Sequence, residues 1–449
     1  MVTINQALAK VKADLAGLLD DQAIFICCRH LGHRWRDTLL NPAVTLHLFV
    51  MQVLAGNTAC WALRHLSGLT FTASAYCQAR QRLPLAVIQQ LTRQVGRHVS
   101  AEGDAAGLWH GHRLWLVDGS SVSMPDTPAL QEHFGQPSGQ AQGCGFPVAS
   151  TLMRMHATSG AIGDLLLRPL RVHDMSGVAQ FHKDLRPGDT LVGDRAFSSY
   201  AHLCLLRERD LHGIFRMHQK TIVSFRYRRR HAKQFPRGQR ADKPKSQWLR
   251  RLGPNDQVVR YFKSKDRPRW MTPEQFAGLP ESIEVREIRY RVKQKGFRVK
   301  EVLLVTTLLD PVEYPAAELA QKFLERWAIE GNFDHLKTTM GAAVLHCKSV
   351  EEVTKELWVF ALVYNLVRQV MLEAAKRQKV DTARISFVDA LRWLASAHIG
   401  EELCELVVNL LREGRVEPRV IKRRMKEYLL MTRPRAVLRQ EMISKAVVV

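Results

Sequence analysis

The spacing of apolar residues along this chain changes near residue 110. Before that point apolar side chains recur at helical intervals, most clearly in residues 43–55 and 86–95, a pattern typical of amphipathic helices. Asn41-Pro42 resembles a helix start, since proline in the first turn removes no helical hydrogen bond. Residues 1–110 are therefore predicted to form a helical region.

Beyond residue 110 the apolar residues alternate with a period of two, which is typical of strands. Three successive strands are predicted at residues 113–117, 148–155 and 161–168. They are followed by a helix, a strand ending at Asp194, a second helix and a further strand at residues 213–217. A three-stranded meander followed by alternating helices and strands predicts an α/β domain of ribonuclease-H type.

The stretch after residue 217 interrupts this order. Strand-like alternation resumes at residues 258–263, and residues 283–292 and 298–308 form a predicted hairpin around Lys295-Gly296. Helical patterns return near 315–340 and 350–377. The predicted organisation is a helical N-terminal region (1–110), the first part of a ribonuclease-H-like core (111–217), a basic and mostly β insertion (218–312), the second part of the core (313–378) and a basic helical C-terminal region (379–449).

The positive charge is concentrated in two of these regions. The 449 residues include 66 Lys and Arg against 43 Asp and Glu, a net charge of +23, which favours a polyanionic partner such as nucleic acid. A basic ribosomal or membrane-surface protein is the alternative. Residues 216–251 and 412–445 together supply 19 of the +23, as a localised binding track requires, although a basic block can also be a merely solvated loop.

Several other classes are disfavoured. No apolar run approaches the length of a membrane span and no signal-peptide pattern is present, so a cytoplasmic location without a membrane partner is expected. The eight scattered cysteines suggest reduced thiols. The Cys27-Cys28 pair near His30 and His33 could indicate zinc, but no second ligand pair follows at zinc spacing. The absence of a phosphate-binding loop motif disfavours a nucleoside triphosphatase.

Three acidic residues occupy positions where a carboxylate is unfavourable unless it has a structural or functional role. Asp118 ends the apolar run 114–117, Asp194 ends the run 190–193, and Glu330 lies within a helical pattern. Two strand-end aspartates and one helix-borne glutamate form an oxygen-ligand set suited to divalent metals. On so basic a chain, this set predicts metal-dependent chemistry on nucleic-acid phosphates.

The helical pattern around Glu330 places basic groups beside it. At about 100° per residue, Phe323, Arg326, Glu330 and Lys337 share one narrow face. A metal-binding glutamate on that face would have phosphate-binding cations on either side. The alternative is a solvated helix in which Arg326 and Glu330 form an i,i+4 ion pair.

Taken together, these motifs resemble those of the IS4 group of bacterial insertion-sequence transposases, whose catalytic core is a DDE ribonuclease-H-like domain. The helix motif Y-x2-R-x3-E-x6-K of that group is matched from position 323 to 337, with Phe323 in place of the tyrosine. The strand motifs are matched by Asp118-Gly119-Ser120 and by residues 193–197, and a long β insertion before the glutamate is a further similarity. The resemblance covers roughly residues 40–375.

The resemblance implies a function and a set of roles. Asp118, Asp194 and Glu330 would hold two Mg²⁺ ions, with Mn²⁺ able to substitute, for in-line phosphoryl transfer. Arg326 and Lys337 would grip phosphates beside the scissile bond. The chain would cut double-stranded DNA at terminal inverted repeats and join it to target DNA, as a homodimer in a synaptic complex in the nucleoid of the bacterial cytoplasm.

Further DNA contacts are expected outside this core. Transposases of this group stack a flipped base on a tryptophan of the insertion, and the candidates are Trp248 and Trp270, although burial in a core is as good an explanation for either. The remaining candidates are Phe323 in the helix motif, Arg228, Arg229 and Arg230 in the insertion, and Arg34, Arg36, Arg80 and Arg82 in the N-terminal region.

Two rival functions remain. One is a ribonuclease-H-like nuclease without strand transfer, which the long basic insertion disfavours, because a plain nuclease needs no grip on two DNA ends. The other is a domesticated, non-catalytic DNA-binding protein, which would be marked by loss of a carboxylate. All three carboxylates are present.

Overall fold

A nine-stranded sheet forms the centre of the computed structural model, which describes residues 17–105, 107–172, 175–234, 242–291, 301–396, 402–410 and 431–446. The strands are β1 (Leu114–Ser123), β2 (Val148–His156), β3 (Ile162–Pro169), β4 (Thr190–Gly193), β5 (His212–Arg216), β6 (Gln247–Gly253), β7 (Asp256–Phe262), β8 (Ser282–Arg291) and β9 (Glu301–Thr306). Their order is β3-β2-β1-β4-β5-β9-β8-β7-β6. The antiparallel β1–β3 meander with β4 and β5 parallel to β1 is the ribonuclease-H-type arrangement, so the predicted fold class is confirmed.

The insertion continues the core sheet. β9 pairs antiparallel with β5, placing Thr306 opposite Ile214, and β8, β7 and β6 follow in order. The sequence predicted a mostly β insertion but not this pairing, because alternation indicates a strand without indicating its neighbour. The hairpin tip at Lys295-Gly296 lies outside the described residues.

Helices cover both faces of the sheet and form both ends of the described chain. They are α1 (Asp21–His30), α2 (Pro42–Leu54), α3 (Leu63–Ser67), α4 (Ala73–Arg82), α5 (Leu85–Asp104), α6 (Pro128–Phe134), α7 (Met175–Val178), α8 (Tyr200–Glu208), α9 (Pro273–Ala277), α10 (Ala316–Glu325), α11 (Ala328–Asp334), α12 (Val350–Gln378), α13 (Phe387–Ser396) and α14 (Arg435–Ala446). The predicted start at Asn41-Pro42 is present, with the Asn41 side chain accepting from the Val44 amide.

The two faces of the sheet pack into separate cores. Leu116 and Val192 belong to the larger core, which also takes residues from α2, α5 and α12, whereas Val117 belongs to the opposite core with α8. Side chains two positions apart on a strand share a face. Asp118 and Asp194 therefore lie on the face covered by α5 and α10–α12.

The longest helix, α12, crosses the larger core. Its 29 residues include an apolar window of mean hydropathy 1.3, long enough to cross a membrane by length and composition, but 94% of that window is buried inside the protein. The prediction that no apolar run reaches that length is therefore wrong. The burial identifies α12 as a core helix, packed against α2, α5 and α13.

The predicted helix at 315–340 is interrupted. α10 ends at Glu325, and amide-to-carbonyl bonds of i to i−3 spacing at Arg326 and Trp327 form a tight turn before α11. A π-helical turn, His335–Thr339, then follows α11. Ideal helical geometry therefore does not hold from residue 323 to 337, and π turns of this kind are frequent at functional sites.

The close approach of α5 to the sheet requires glycine at position 96. A Cβ on Gly96 would lie 2.5 Å from the Ile162 carbonyl oxygen. Gly96→Ala is expected to lower the free energy of unfolding by about 1–3 kcal/mol, the usual cost of overpacking, as measured by urea denaturation. Gly331→Ala is the matched control, because nothing lies within 4 Å of that helical Cβ and alanine should stabilise by up to about 1 kcal/mol. Equal effects at both glycines would contradict the close packing of α5.

Candidate active site

The two strand-end aspartates lie side by side. β1 and β4 are parallel neighbours with Val117 opposite Gly193, so the next residue of each chain segment is Asp118 or Asp194. Neighbouring strands are about 4.7–4.9 Å apart, and both side chains lie on the same face of the sheet. The local fold therefore brings two carboxylates together across a gap of 76 residues in the sequence.

Asp118 is held from two sides. Its Oδ1 accepts a hydrogen bond from the Gly119 amide at 2.8 Å, and its Oδ2 accepts one from Nη1 of Arg326 at 2.8 Å. Burial raises the pKa of Asp118; Arg326 and the Gly119 amide oppose the rise, and the charges of Asp194 and Glu330 add to it. Asp194 and Glu330 therefore both lie within electrostatic range of Asp118.

The surroundings of Asp194 and Glu330 fit a cation. The Asp194 Oδ1 atom is buried and has no hydrogen-bond partner among the described residues, which costs roughly 1–3 kcal/mol if nothing compensates. Glu330 is exposed, and within the described part of the chain its carboxylate has no partner either. Such free oxygens are the ligands that divalent cations prefer.

The carboxylates lie near one another but do not form a joint metal-binding site. Across the described ranges no three His, Cys, Asp or Glu side chains are near enough together to hold a metal ion jointly. Electrostatic interactions reach further than metal coordination, so this finding is compatible with the effect of Asp194 and Glu330 on the pKa of Asp118. A joint metal site therefore requires side-chain movement, and Asp118 is the carboxylate that already has a cationic partner.

Two cations lie along β1 beside these acids. Arg326 is 5% exposed, and its Cζ lies 5.5 Å from the Phe323 ring centroid and 5.4 Å from that of Trp327. Lys337 Nζ donates to Oγ of Ser120 at 3.0 Å. Because Ser120 and Asp118 share a strand face, the segment from α10 to the π turn presents both cations to the same face of β1.

Phe323 does not lie where a DNA-contacting residue would. It is 3% exposed and belongs to the larger core. The sequence assigned it to DNA from its motif position, but its apolar ring packs inward and supports the guanidinium of Arg326. The expected DNA contact of Phe323 is corrected to this supporting role.

Sequence reasoning gave Ser120 no role of its own. Its contact with Lys337 joins β1 to a residue 217 positions away. The signal was available, since a residue two positions after a strand-borne carboxylate points to the same side.

The three consecutive arginines of the insertion have different environments. Arg228 and Arg230 are exposed. Arg229 donates to the Ser224 carbonyl at 2.9 Å and to the Ser246 carbonyl and hydroxyl at 2.7 Å each, and burial lowers its pKa. Arg229 therefore holds the basic loop together, and these hydrogen bonds favour a structural role for it, although it lines the same cavity as Arg228 and Arg230.

The two candidate tryptophans also differ. Trp248 is half-buried and lines a cavity of about 410 Å³ together with Arg228 and Arg230; its ring packs edge-on against Tyr227, with centroids 5.2 Å apart. Trp270 packs against the core on the α8 face of the sheet. Of the two, Trp248 lies in a basic, accessible setting.

A second basic cavity lies in the N-terminal region. Arg34, Arg36 and Arg82 are exposed and line a space of about 630 Å³ beside Trp35. Arg80, expected from sequence to face DNA with them, is instead 5% exposed and donates to Cys347 Sγ at 2.8 Å. The Arg80 prediction is therefore wrong, because its partners come from a distant part of the chain.

Comparisons with known proteins point to one family. Residues 109–366 match the family described as "Transposase DDE domain". The chain is similar to transposase InsG for insertion sequence element IS4 of Escherichia coli (strain K12), 25% identical over 312 residues, which cover 68% of this chain and 62% of the relative. It is also similar to the putative transposase InsZ of the same organism, 40% identical over 62 residues, or 14% of this chain and 21% of the relative.

A solved structure shows a slighter likeness. The piggyBac transposase in its synaptic complex with hairpin DNA aligns over 86% of this chain and 80% of its own, with 9% identity and a TM-score of 0.41. That likeness is too low to support a conclusion about this chain. The sequence matches and the geometry of the acids carry the assignment.

Proposed function

This chain belongs to the DDE-domain transposases of the IS4 family, and from that premise we propose that it cuts DNA at the ends of an insertion sequence and joins them to a target. The observation that carries the proposal is the adjacency of Asp118 and Asp194 on one sheet face, with Arg326 donating to Asp118 and Lys337 to Ser120. A phosphodiester entering this site would meet acids and cations together.

The acids are proposed to hold two Mg²⁺ ions, for which Mn²⁺ should substitute. When bound, such ions supply positive charge that activates the attacking hydroxyl or water and stabilises the leaving oxygen. Asp118, Asp194 and Glu330 would be the ligands. The buried Oδ1 of Asp194 supports this choice, because it has no hydrogen-bond partner among the described residues and a bound cation would compensate its charge.

The neighbouring cations are proposed to position the DNA. Phosphates accept well from a guanidinium, which can donate two parallel hydrogen bonds. Arg326 is buried against Asp118 without DNA, so it would have to turn away from that carboxylate to bind a phosphate next to the scissile one. Lys337 would neutralise a second phosphate as a point charge. Holding both phosphates beside the acids supplies the orientation on which in-line transfer depends.

The DNA partner is proposed to extend over two further basic surfaces. One is the cavity of Arg34, Arg36 and Arg82; the other is the cavity of Arg228, Arg230 and Trp248. Neither cavity is lined by Asp118, Asp194 or Glu330, and neither is lined by any other acidic residue. Two basic DNA-binding surfaces suit an enzyme that must hold the ends of an insertion sequence. A homodimer would bring the two DNA ends together.

Arg228 and Arg230 are expected to contact phosphates, whereas Arg229 is not. The double variant Arg228→Ala, Arg230→Ala should reduce the slope of log affinity against log salt by about 2, since each phosphate contact contributes about 0.9. The free energy of unfolding of this double variant, measured by urea denaturation, should not change. Arg229→Ala is the matched control and should instead lower stability, because its hydrogen bonds to Ser224 and Ser246 are lost. A double variant with an unaltered slope would favour a merely solvated loop.

The activity is tested with DNA that carries the sequences flanking the coding region on both sides. Purified protein with Mg²⁺ should produce cuts at defined positions and then join the ends to a supercoiled plasmid. Cuts without joining would indicate the nuclease alternative. Binding without any cut, in Mg²⁺ and in Mn²⁺, would indicate a non-catalytic DNA-binding protein.

A further inference from the structure

The ion pair between Arg326 and Asp118 occupies a carboxylate that the proposed chemistry requires as a metal ligand. The contact is one-armed: Nη1 of Arg326 donates to Oδ2 of Asp118 at 2.8 Å, while Nε of Arg326 is buried without a hydrogen-bond partner in the described part of the chain. The side chains of Arg326 and Asp118 are 6% and 25% exposed. A guanidinium with an unused donor can gain hydrogen bonds by moving to an anion that accepts two of them.

The charge balance of the site favours such an exchange. Asp118, Asp194 and Glu330 contribute three negative charges to the site, and Arg326 and Lys337 contribute two positive charges that offset them. Affinity for divalent cations rises with the negative charge of the ligands. A guanidinium placed on Asp118 therefore opposes metal binding, both by repulsion and by occupying a lone pair of Oδ2.

We infer that Arg326 is a positioning residue that makes metal binding conditional on DNA. Resting on the proposed function, the inference is that Arg326 holds Asp118 in the DNA-free protein and weakens the metal site. A DNA phosphate then draws the guanidinium away and frees the carboxylate. By linkage, DNA and metal each raise the affinity for the other by the same factor. Such coupling would keep the free enzyme from loading metal before its substrate is in place.

Two simpler roles for Arg326 predict different results in the absence of DNA. If Arg326 served to orient Asp118 toward the metal, its removal would weaken metal binding. If it served only to grip a phosphate, its removal would raise metal affinity no more than the loss of one nearby positive charge does, which Lys337→Gln measures. Only the proposed latch, in which Arg326 holds Asp118 until DNA binds, predicts a gain larger than that of Lys337→Gln. The sign and the size of the effect therefore separate the three roles.

The test uses the full chain without DNA, titrated with Mn²⁺, with bound ion measured by electron paramagnetic resonance. Binding that persists in Asp194→Asn is subtracted as unrelated to the site. Arg326→Gln is expected to bind Mn²⁺ on the order of tenfold more tightly than the wild type, within the usual range of coupling between sites. Unchanged or weaker binding, or a gain no larger than that of Lys337→Gln, would overturn the latch.

Three further variants control for charge and folding. Lys337→Gln removes the same charge but loses a contact with the Ser120 hydroxyl, so its gain in Mn²⁺ affinity should be smaller. Arg326→Lys keeps a cation and should retain the weak binding of the wild type. Arg326→Met keeps the apolar stem against Phe323 and Trp327 and repeats the comparison if circular dichroism shows that the Gln variant is unfolded.

A second arm separates the latch from the proposed function. A short duplex should raise the Mn²⁺ affinity of the wild type by about the factor gained in Arg326→Gln, and should raise that of the variant less. If the wild type shows no Asp194-dependent Mn²⁺ site with or without duplex, the metal-dependent function itself fails. If the site is present and Arg326→Gln does not bind more tightly, only the latch fails.

Discussion

Asp194→Asn is expected to reduce DNA cleavage by roughly 10³-fold or more, because loss of one electrostatic contact to a developing charge already costs about 10²–10³. The substitution keeps the size of the side chain but replaces two anionic oxygens with one neutral carbonyl oxygen, a weaker ligand, and an NH2 group that does not bind a metal. Cleavage of flanking DNA in Mg²⁺, measured under single-turnover conditions, gives the loss directly.

The same variant should fold at least as well as the wild type. Asp194 contributes repulsion to Asp118, and its buried Oδ1 has no partner within the described residues, so neutralising it removes an unfavourable term. Asp184→Asn, an exposed acid before β4, is the control and should retain full cleavage. Retained activity in Asp194→Asn, or an equal loss in Asp184→Asn, would contradict the assignment.

Lys355→Met is expected to lower the free energy of unfolding by about 3–5 kcal/mol, the usual cost of breaking a buried ion pair from one side. Lys355 is fully buried in α12. Its Nζ donates to the carbonyls of Arg80 and Gln81 at 3.2 and 3.0 Å and to the carboxylate of Glu352 at 2.9 Å. Methionine fills the space of the stem but leaves these acceptors without their donor.

Lys376→Met provides the comparison on the same helix. Lys376 pairs with Glu102 at 3.1 Å but is about half exposed, so its loss should cost at most about 1 kcal/mol. Urea denaturation of both variants measures the difference. Because Lys355 ties the end of α4 to α12, its loss should also make the N-terminal helices exchange amide hydrogens faster. Equal stability of the two variants would show that the buried contacts of Lys355 contribute little.

The placement of the acids could be predicted from sequence because it depends on local order. A carboxylate directly after a buried strand lies at the end of that strand, and the parallel pairing of β1 with β4 follows from the ribonuclease-H-type order. The convergence of Asp118 with Asp194 was therefore accessible. The grouping of Arg326 with Lys337 was also expected, although from an unbroken helix that the structure does not contain.

The contacts of individual cations could not be predicted. Arg326 donates to Asp118, which is 208 positions away, and local periodicity offered only Glu330 or a phosphate as its partner. Arg80 and Arg229 were expected to be surface cations. Arg80 instead donates to Cys347, 267 positions away, and Arg229 donates to Ser246, 17 positions away. Spacing indicates which face a residue occupies, and the tertiary fold decides what it meets there.

The pairing of β9 with β5 has a consequence for how the protein is made. On the ribosome, β5 is complete about 85 residues before β9 begins, a delay of roughly 4–17 s at ordinary translation rates. During that time one edge of β5 has no neighbour and is open to pairing with other chains. Glu330 is synthesised later still, so a nascent chain whose sheet is incomplete also lacks the last of the three acids.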